Sequence, residues 1–363
     1  MRKVKIGDVT NSCLGKMLDA EKNKGEYQPY LANINVRWGD FDLSNLSLMR
    51  FEESEEERYG IDNGDLIMCE GGEPGRCAIW RGQIPGMKIQ KALHRIRVKE
   101  DVIVEYLYYW FLLAGKNDLL KRYFTETTIK HLPGEVLKDI EIEIPSLDIQ
   151  KSISNVLSSI DSKILLNNKI NDNLQQMAYT TYMHLFFGKK ANGKLEDILV
   201  ENPKSAIQVG EAKDTDGDYS FFTSGDAVLR WREPLIDGRN CFLNTGGNAD
   251  VKFYVGKTAY STDTWCISAK NDLSDYLYLL LKSIKPELNQ KFFQGTGLKH
   301  LQKPLLKERP IYIPSEDETK AFNNSVQPWF TMISDNIRES QRLTALRDWL
   351  LPMLMNGQAT ISE

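Results

Sequence analysis

The chain has 363 residues, enough for two domains with full cores. It carries 46 Lys and Arg against 50 Asp and Glu, a net charge of −4. That balance argues against coating nucleic acid by bulk charge but leaves local patches open. The five cysteines form no CxxC pair and the four histidines show no zinc spacing, so reduced thiols and no metal are expected. The start, MRKVKIGDVT, lacks a signal-peptide apolar core, and no run of about 18 apolar residues follows. The expectation is a cytoplasmic protein without a membrane segment.

Residues 1–145 read as a mixed α/β domain. DLIMCEG (65–71) and RCAIWRG (76–82) are short β-type runs punctuated by Gly and Pro. The acidic run EESEEE (52–57) reads as a solvated loop. VEYLYYWFLLAG (104–115) predicts a buried helix, and IEIEIP (140–145) alternates as a half-buried final strand should.

Residues 146–188 change texture, with neither Gly nor Pro from Leu147 to about Phe187. Ile149, Ile153, Val156, Ile160, Ile170, Leu174 and Met177 fall on steps of three and four, with a polar interruption between Ile160 and Ile170. This is a heptad seam on a helix of roughly 40 residues, about 60 Å long. Residues 189–314 form a second globular domain, with β-type runs NCFLNTGG, KFYVGKTAYS and TWCISAK and a helix at DYLYLLLKS. A second long helix occupies 315–357. Its apolar set is Phe322, Val326, Trp329, Ile333, Leu343, Leu346, Leu350 and Leu354, and Pro328 and Pro352 are expected to bend it locally. A short tail, 358–363, remains.

The second half repeats the first. TTIKHL at 127–132 returns as TGLKHL at 296–301, and at that fixed offset residues 127–188 align with 296–357 without a gap. Eighteen of the 62 positions are identical, where average composition gives about 4. EYLYYWFLL (105–113) and DYLYLLLKS (275–283) are a weaker echo upstream. The fold class expected is therefore α+β: two mixed α/β domains and two long helices forming an antiparallel coiled coil, related by an internal pseudo-twofold duplication. Asn167 and Asn336 fall at equivalent mid-helix positions, either fixing coiled-coil register or lying on a solvated face.

The order of these parts resembles the specificity subunit of type I restriction–modification systems. The residues carrying the resemblance are IEIPSLDIQKSISNVLSSIDSKI with LFFGK at the helix end, and the second copy IYIPSEDETKAFNNSVQPWFTMI ending in LMNGQ. The resemblance covers essentially the whole chain. It implies two target-recognition domains, each reading one half of a split double-stranded DNA site, spaced by a coiled-coil ruler. It also implies two DNA methyltransferase subunits docked on this scaffold, with S-adenosylmethionine held by the methyltransferase and not by this chain, and restriction subunits that can join. No catalytic residue is expected: GxxxxGK[ST], a glycine fingerprint after a strand and an Asn/Asp-Pro-Pro-aromatic motif are all missing. The second copy departs from the pattern where DIQK becomes DETK. The other class left open is a duplicated coiled-coil scaffold that binds proteins.

Candidate DNA-binding residues fall in four groups. Segment 76–99 holds Arg76, Arg81, Lys88, Lys91, Arg95, Arg97 and Lys99 with no acidic residue, and reads either as a phosphate-binding patch or as strands with basic outward faces. Gly71, Gly72 and Gly75 with Arg76, and Thr245, Gly246, Gly247 and Asn248, read as equivalent loops near phosphate or as ordinary turns. Thr127, Thr128, Lys130 and His131, with Thr296, Gly297, Lys299 and His300, suit phosphate contact or close the domain onto its helix; Ile129, Leu298, Leu132 and Leu301 are expected to anchor these loops. Thr223, Ser224, Arg230, Trp231 and Arg232 form a polar, cationic stretch that could enter a groove.

Overall fold

The computed structural model describes residues 1–19, 23–126, 130–213, 215 and 217–359. It divides into two compact units, Met1–Ser162 with Thr344–Glu363, and Lys163–Leu343. Each unit joins one globular body to one end of each long helix. The fold is α+β.

The first unit has a four-stranded antiparallel sheet in the order Thr10–Leu14, Leu93–Val98, Leu66–Cys69, Cys77–Ile79. A three-stranded sheet runs Ser47–Phe51, Glu26–Leu31, Lys88–Ile89, and Arg2–Lys5 pairs with Glu141–Ile144. The second unit repeats this plan in the same spatial order. Its four strands are Leu199–Glu201, Thr264–Ala269, Arg239–Asn244 and Val251–Val255. Its three are Val228–Trp231, Tyr219–Phe222 and Thr258–Tyr260, and Gly193–Lys194 pairs with Pro310–Ile311. The duplication thus extends through segments whose sequences have diverged.

Burial explains the sequence texture. In Leu66–Cys69 every residue is buried, because Leu66 and Met68 face the core around helix Val104–Lys116 while Ile67 and Cys69 face a second cluster with Trp80, Ile89 and Leu93. A strand covered on both faces needs a continuous apolar run. In Glu141–Ile144 only Ile142 and Ile144 are buried, so the sequence alternates. The helix Ser274–Ser283 is covered as thoroughly as its counterpart, with eight buried residues.

The long helices span Leu147–Phe186 and Glu316–Met355, forty residues each, and the second continues through both prolines. In the first unit they run antiparallel: Arg347 donates to Asp161 at 2.7 Å, and Ile153 and Leu157 pack with Leu351, Leu354 and Met355. Tyr109 donates to the other oxygen of Asp161 at 2.8 Å, tying the globular body to the helix. Burial, then the Asp161 carboxylate, raises the Tyr109 phenol well above its ordinary value. In the second unit they are again antiparallel: Asn167 faces Glu339 (2.7 Å) and Ser340 (3.2 Å), and Asn336 donates to Asn171 at 2.8 Å. Arg239 forks onto the buried Asp275 at 2.6 Å through both nitrogens and also reaches the Gln327 carbonyl at 3.1 Å, tying that globular body to the second long helix.

The inward-facing positions differ from the apolar set expected. Ile149, Met177 and Leu346 are exposed. On the first helix the inward line is Leu157, Ile160, Ile164, Asn167, Asn171, Leu174 and Ala178, and on the second Phe330, Ile333, Ile337, Ser340, Thr344, Arg347, Leu351 and Leu354. These keep the three–four alternation, but several members are polar. An apolar count therefore skipped them and took neighbours such as Met177 and Leu346 in their place, while Ile153, Phe322, Val326, Ile333 and Leu354 of the expected set are buried.

The departure DETK also has a structural reason. Glu318, where the first copy has Ile149, accepts from the Ser315 backbone at 2.9 Å while its own N–H reaches the Ser315 hydroxyl at 3.3 Å, a capping box. Lys189 at 2.6 Å and Tyr312 at 2.7 Å complete its partners. The hydrogen bond from Lys189, then that from the Ser315 backbone, holds the carboxyl down at about 2. This cap is present above the ordinary carboxylate value of 4.5 and is lost as pH falls toward 2.

Asn167 is fully buried, and its Oδ1 has no hydrogen-bond partner among the described residues. A polar seam residue of this kind costs stability. Asn167→Leu is expected to raise the thermal midpoint by about 2–4 °C, from about 1 kcal/mol gained. Calorimetry checks this, and a lowered midpoint would show the network to be net stabilising.

Candidate nucleic-acid interface

In each unit a glycine-rich loop is bridged to the repeated Lys-His pair. Gly71 forms an antiparallel bridge with His131, and Gly246 forms one with His300. Leu132 donates its N–H to Glu70 at 2.7 Å, Leu301 donates to Thr245 at 3.0 Å, and Gly247 donates to Lys299 at 2.9 Å. A Cβ at position 71 would sit 2.9 Å from the His131 ring, which would have to shift to admit it. Gly72 (φ +74°) and Gly247 (φ +82°) take the left-handed backbone that glycine favours.

Two asparagines hold these loops. Asn33 donates to the Gly71 carbonyl at 2.8 Å. Asn244 donates to Gly246 at 2.7 Å and to Asn248 at 2.5 Å, and accepts from the Asp250 N–H at 2.7 Å. Neither was singled out by the sequence, since a loop-pinning Asn carries no spacing signal. Lys130, Lys299, His300, Thr296, Gly297, Gly72 and Asn248 are exposed, and His131, Gly246 and Gly247 half-buried. Among the described residues, Lys130 and Lys299 have no ion pair. A cleft of about 490 Å³ beside the first loop is lined by Trp38, Gly72, Lys121, Phe124 and Lys130. One of about 370 Å³ beside the second is lined by Lys204, Thr245, Asp263 and Lys303. Thr127, Thr128 and Ile129 lie outside the described residues.

The basic segment 76–99 is not a free patch. Lys88 is buried and pairs with Glu56 at 2.6 Å, and Arg95 is buried with its guanidinium on the Glu57 and Gly60 carbonyls at 3.0 and 2.6 Å. Arg97 binds Asp65 at 2.7 Å and also Asp62, Arg76 binds Glu73 at 2.7 Å, and Arg81 binds Glu105 at 2.6 Å. Lys99 donates to the Asp8 carbonyl at 2.8 Å. His94 is buried against the Leu132 carbonyl at 2.9 Å, and burial lowers its pKa. Lys91 stays exposed. The acidic run supplies part of the balance: Glu55 pairs with buried Lys16 at 2.5 Å and Glu56 with Lys88. It is thus a set of counter-ions, not merely a solvated loop.

The second unit's polar stretch is also mostly internal. Thr223 is buried and donates to Ala227 at 2.8 Å, closing a turn. Arg230 binds the Gly217 carbonyl and Asp218 (3.5 Å), and Trp231 packs against Phe221 with ring centroids 5.7 Å apart. Arg232 is exposed and Ser224 half-buried. Leu132 and Leu301 are buried anchors, whereas Leu298 is exposed and is not one.

The chain is thus a protein of two matched bodies, each carrying one copy of the same loop arrangement with exposed cations beside it. The chain matches the type I restriction modification DNA specificity domain over residues 1–176 and 189–323, and it belongs to that family. It is similar to the type I restriction enzyme MjaVIII specificity subunit of Methanocaldococcus jannaschii, at 22% identity over 99% of this chain and 93% of the relative. It is also similar to the MjaIX specificity subunit of that organism, at 24% identity over 83% and 78%. A crystal structure of the S subunit of a type I restriction–modification system from M. genitalium shares the fold, with TM-score 0.63 and 15% identity over 99% of this chain and 96% of that one.

The free and the internally paired cations separate by experiment. Lys130→Ala with Lys299→Ala is expected to weaken binding equally on all DNA sequences and to lower the slope of log K against log salt by about 2. Arg97→Ala is expected to leave that slope unchanged while destabilising the fold by about 1–3 kcal/mol, because Asp65 loses its partner. Salt titration of binding and denaturant unfolding report the two effects.

Proposed function

We propose that this chain is the DNA-recognition and assembly subunit of a type I restriction–modification complex, reading an asymmetric split site with one half per unit. The observation that carries this is the same bridge, glycine loop to Lys-His strand, built once in each unit. The absence of a side chain at Gly72 and Gly247 allows the backbone to come close to phosphate, and Lys130 and Lys299 neutralise it. The globular bodies differ outside the shared motifs, so the two half-sites should differ in sequence. In this reading the chain performs no chemistry. Two methyltransferase subunits, supplying S-adenosylmethionine and the methyl transfer, dock on it, and restriction subunits join them. The spacer accepted between half-sites then depends on the length of the paired helices.

Coexpression with the methyltransferase encoded beside its gene, followed by single-molecule sequencing of a plasmid, tests the reading. Modified adenines in one split motif, appearing only when this chain is present, are expected. A stable complex that modifies nothing, or modifies without sequence preference, would contradict it.

A further inference from the structure

The residue that failed as an anchor points to a specificity role. Leu298 stands at the tip of the hairpin formed by Phe293–Gln294 and His300–Leu301, and it is 66% exposed. The hairpin's apolar anchoring lies at its base, in buried Phe292, Phe293 and Leu301. Leu298 therefore contributes little to folding, and its exposure forgoes most of the burial a leucine offers.

The tip is nevertheless built. Gly295, at φ +151°, lies so close that a Cβ on it would be 2.5 Å from the Leu298 carbonyl oxygen. Gly247 grips the next residue through the Lys299 carbonyl at 2.9 Å. A Leu298 methyl lies 3.7 Å from where a Gly246 Cβ would stand, so the side chain rests beside the glycine loop. Lys299 and His300 follow it, and no acidic residue occurs from Phe292 to Lys307. A cationic tip suits a polyanion, and one aliphatic group at its apex needs an apolar surface within that polyanion. Duplex DNA offers two: the thymine methyl, and the face of a partly unstacked base.

We infer that Leu298 is a base-contacting, specificity-determining residue of the second unit, its side chain covered by apolar base surface. This rests on the recognition reading above and adds to it a residue that discriminates bases, where Lys299 beside it serves phosphate.

The test uses the complete complex with its methyltransferase subunits, a duplex carrying the mapped site and an unrelated duplex. Leu298→Ala is expected to weaken binding to the site about tenfold with the unrelated duplex unchanged, Leu298→Met to retain most of the affinity, and Lys299→Ala to weaken both duplexes alike. An unchanged melting temperature confirms that the variants fold. Two further arms identify the surface. If replacing thymine by uracil in that half-site costs the wild type what Leu298→Ala costs, the contact is a methyl group. If 2-aminopurine in the half-site brightens with the wild type but not with the variant, the contact is an unstacked base face. A site-to-unrelated ratio unchanged in Leu298→Ala, or lowered with neither arm responding, overturns the inference and leaves recognition by the chain intact. A wild-type complex without sequence preference removes the recognition reading and this inference with it.

Discussion

Neither globular body closes its core from adjacent sequence alone; each is finished by both long helices. In the first unit Leu351, Leu354 and Met355 enter the cluster that holds Ile6, Leu66 and Tyr106, more than two hundred residues earlier in the chain. In the second, Ala178, Tyr182 and Phe186 meet Phe322, Val326 and Phe330 around Tyr276. Antiparallel pairing of the helices in each unit is thus a condition for folding. The Asp161–Arg347 pair with Tyr109, and the Asn167 and Asn171 contacts with Glu339, Ser340 and Asn336, select one register among the shifts a purely apolar seam would permit.

The loops facing outward follow from the same plan. The Lys-His strand precedes the last short helix and strand of each body, so fixing the long helix fixes this strand's position in the chain. The adjacent glycine loop then bridges onto it, with Gly71 set close against the His131 ring. Most of the charge of the basic segment is consumed internally. Of the seven cations between Arg76 and Lys99, only Lys91 is exposed with no ion pair or hydrogen bond from its side chain among the described residues. Lys130 and Lys299, by contrast, are exposed beside the bridged loops and have no ion pair among the described residues.

The duplication, the two helices and their ends were legible in sequence because an ungapped repeat and a long stretch without Gly or Pro are local signals. The bridge between glycine loop and Lys-His strand was not, since it joins segments about 60 residues apart through backbone atoms that leave no pattern. The basic segment misled for a related reason. Three of its counter-ions, Glu56, Asp62 and Asp65, sit some thirty residues before the cations they pair with and become neighbours only when the sheets form. The seam was displaced by one position only in part, where Asn167, Thr344 and Arg347 occupy inward sites that an apolar count discards. Leu298 failed oppositely: an aliphatic residue between a glycine and a lysine reads as an anchor, and only its exposure shows that it points outward.

The central claim is that the two loop arrangements face different halves of one DNA site. It is tested most directly by placing a photo-crosslinking amino acid at position 130 or at position 299 in the complete complex and mapping the crosslinked nucleotides. The account predicts crosslinks confined to one half-site from position 130 and to the other from position 299. Crosslinks from both positions to the same half, or to protein alone, would contradict it.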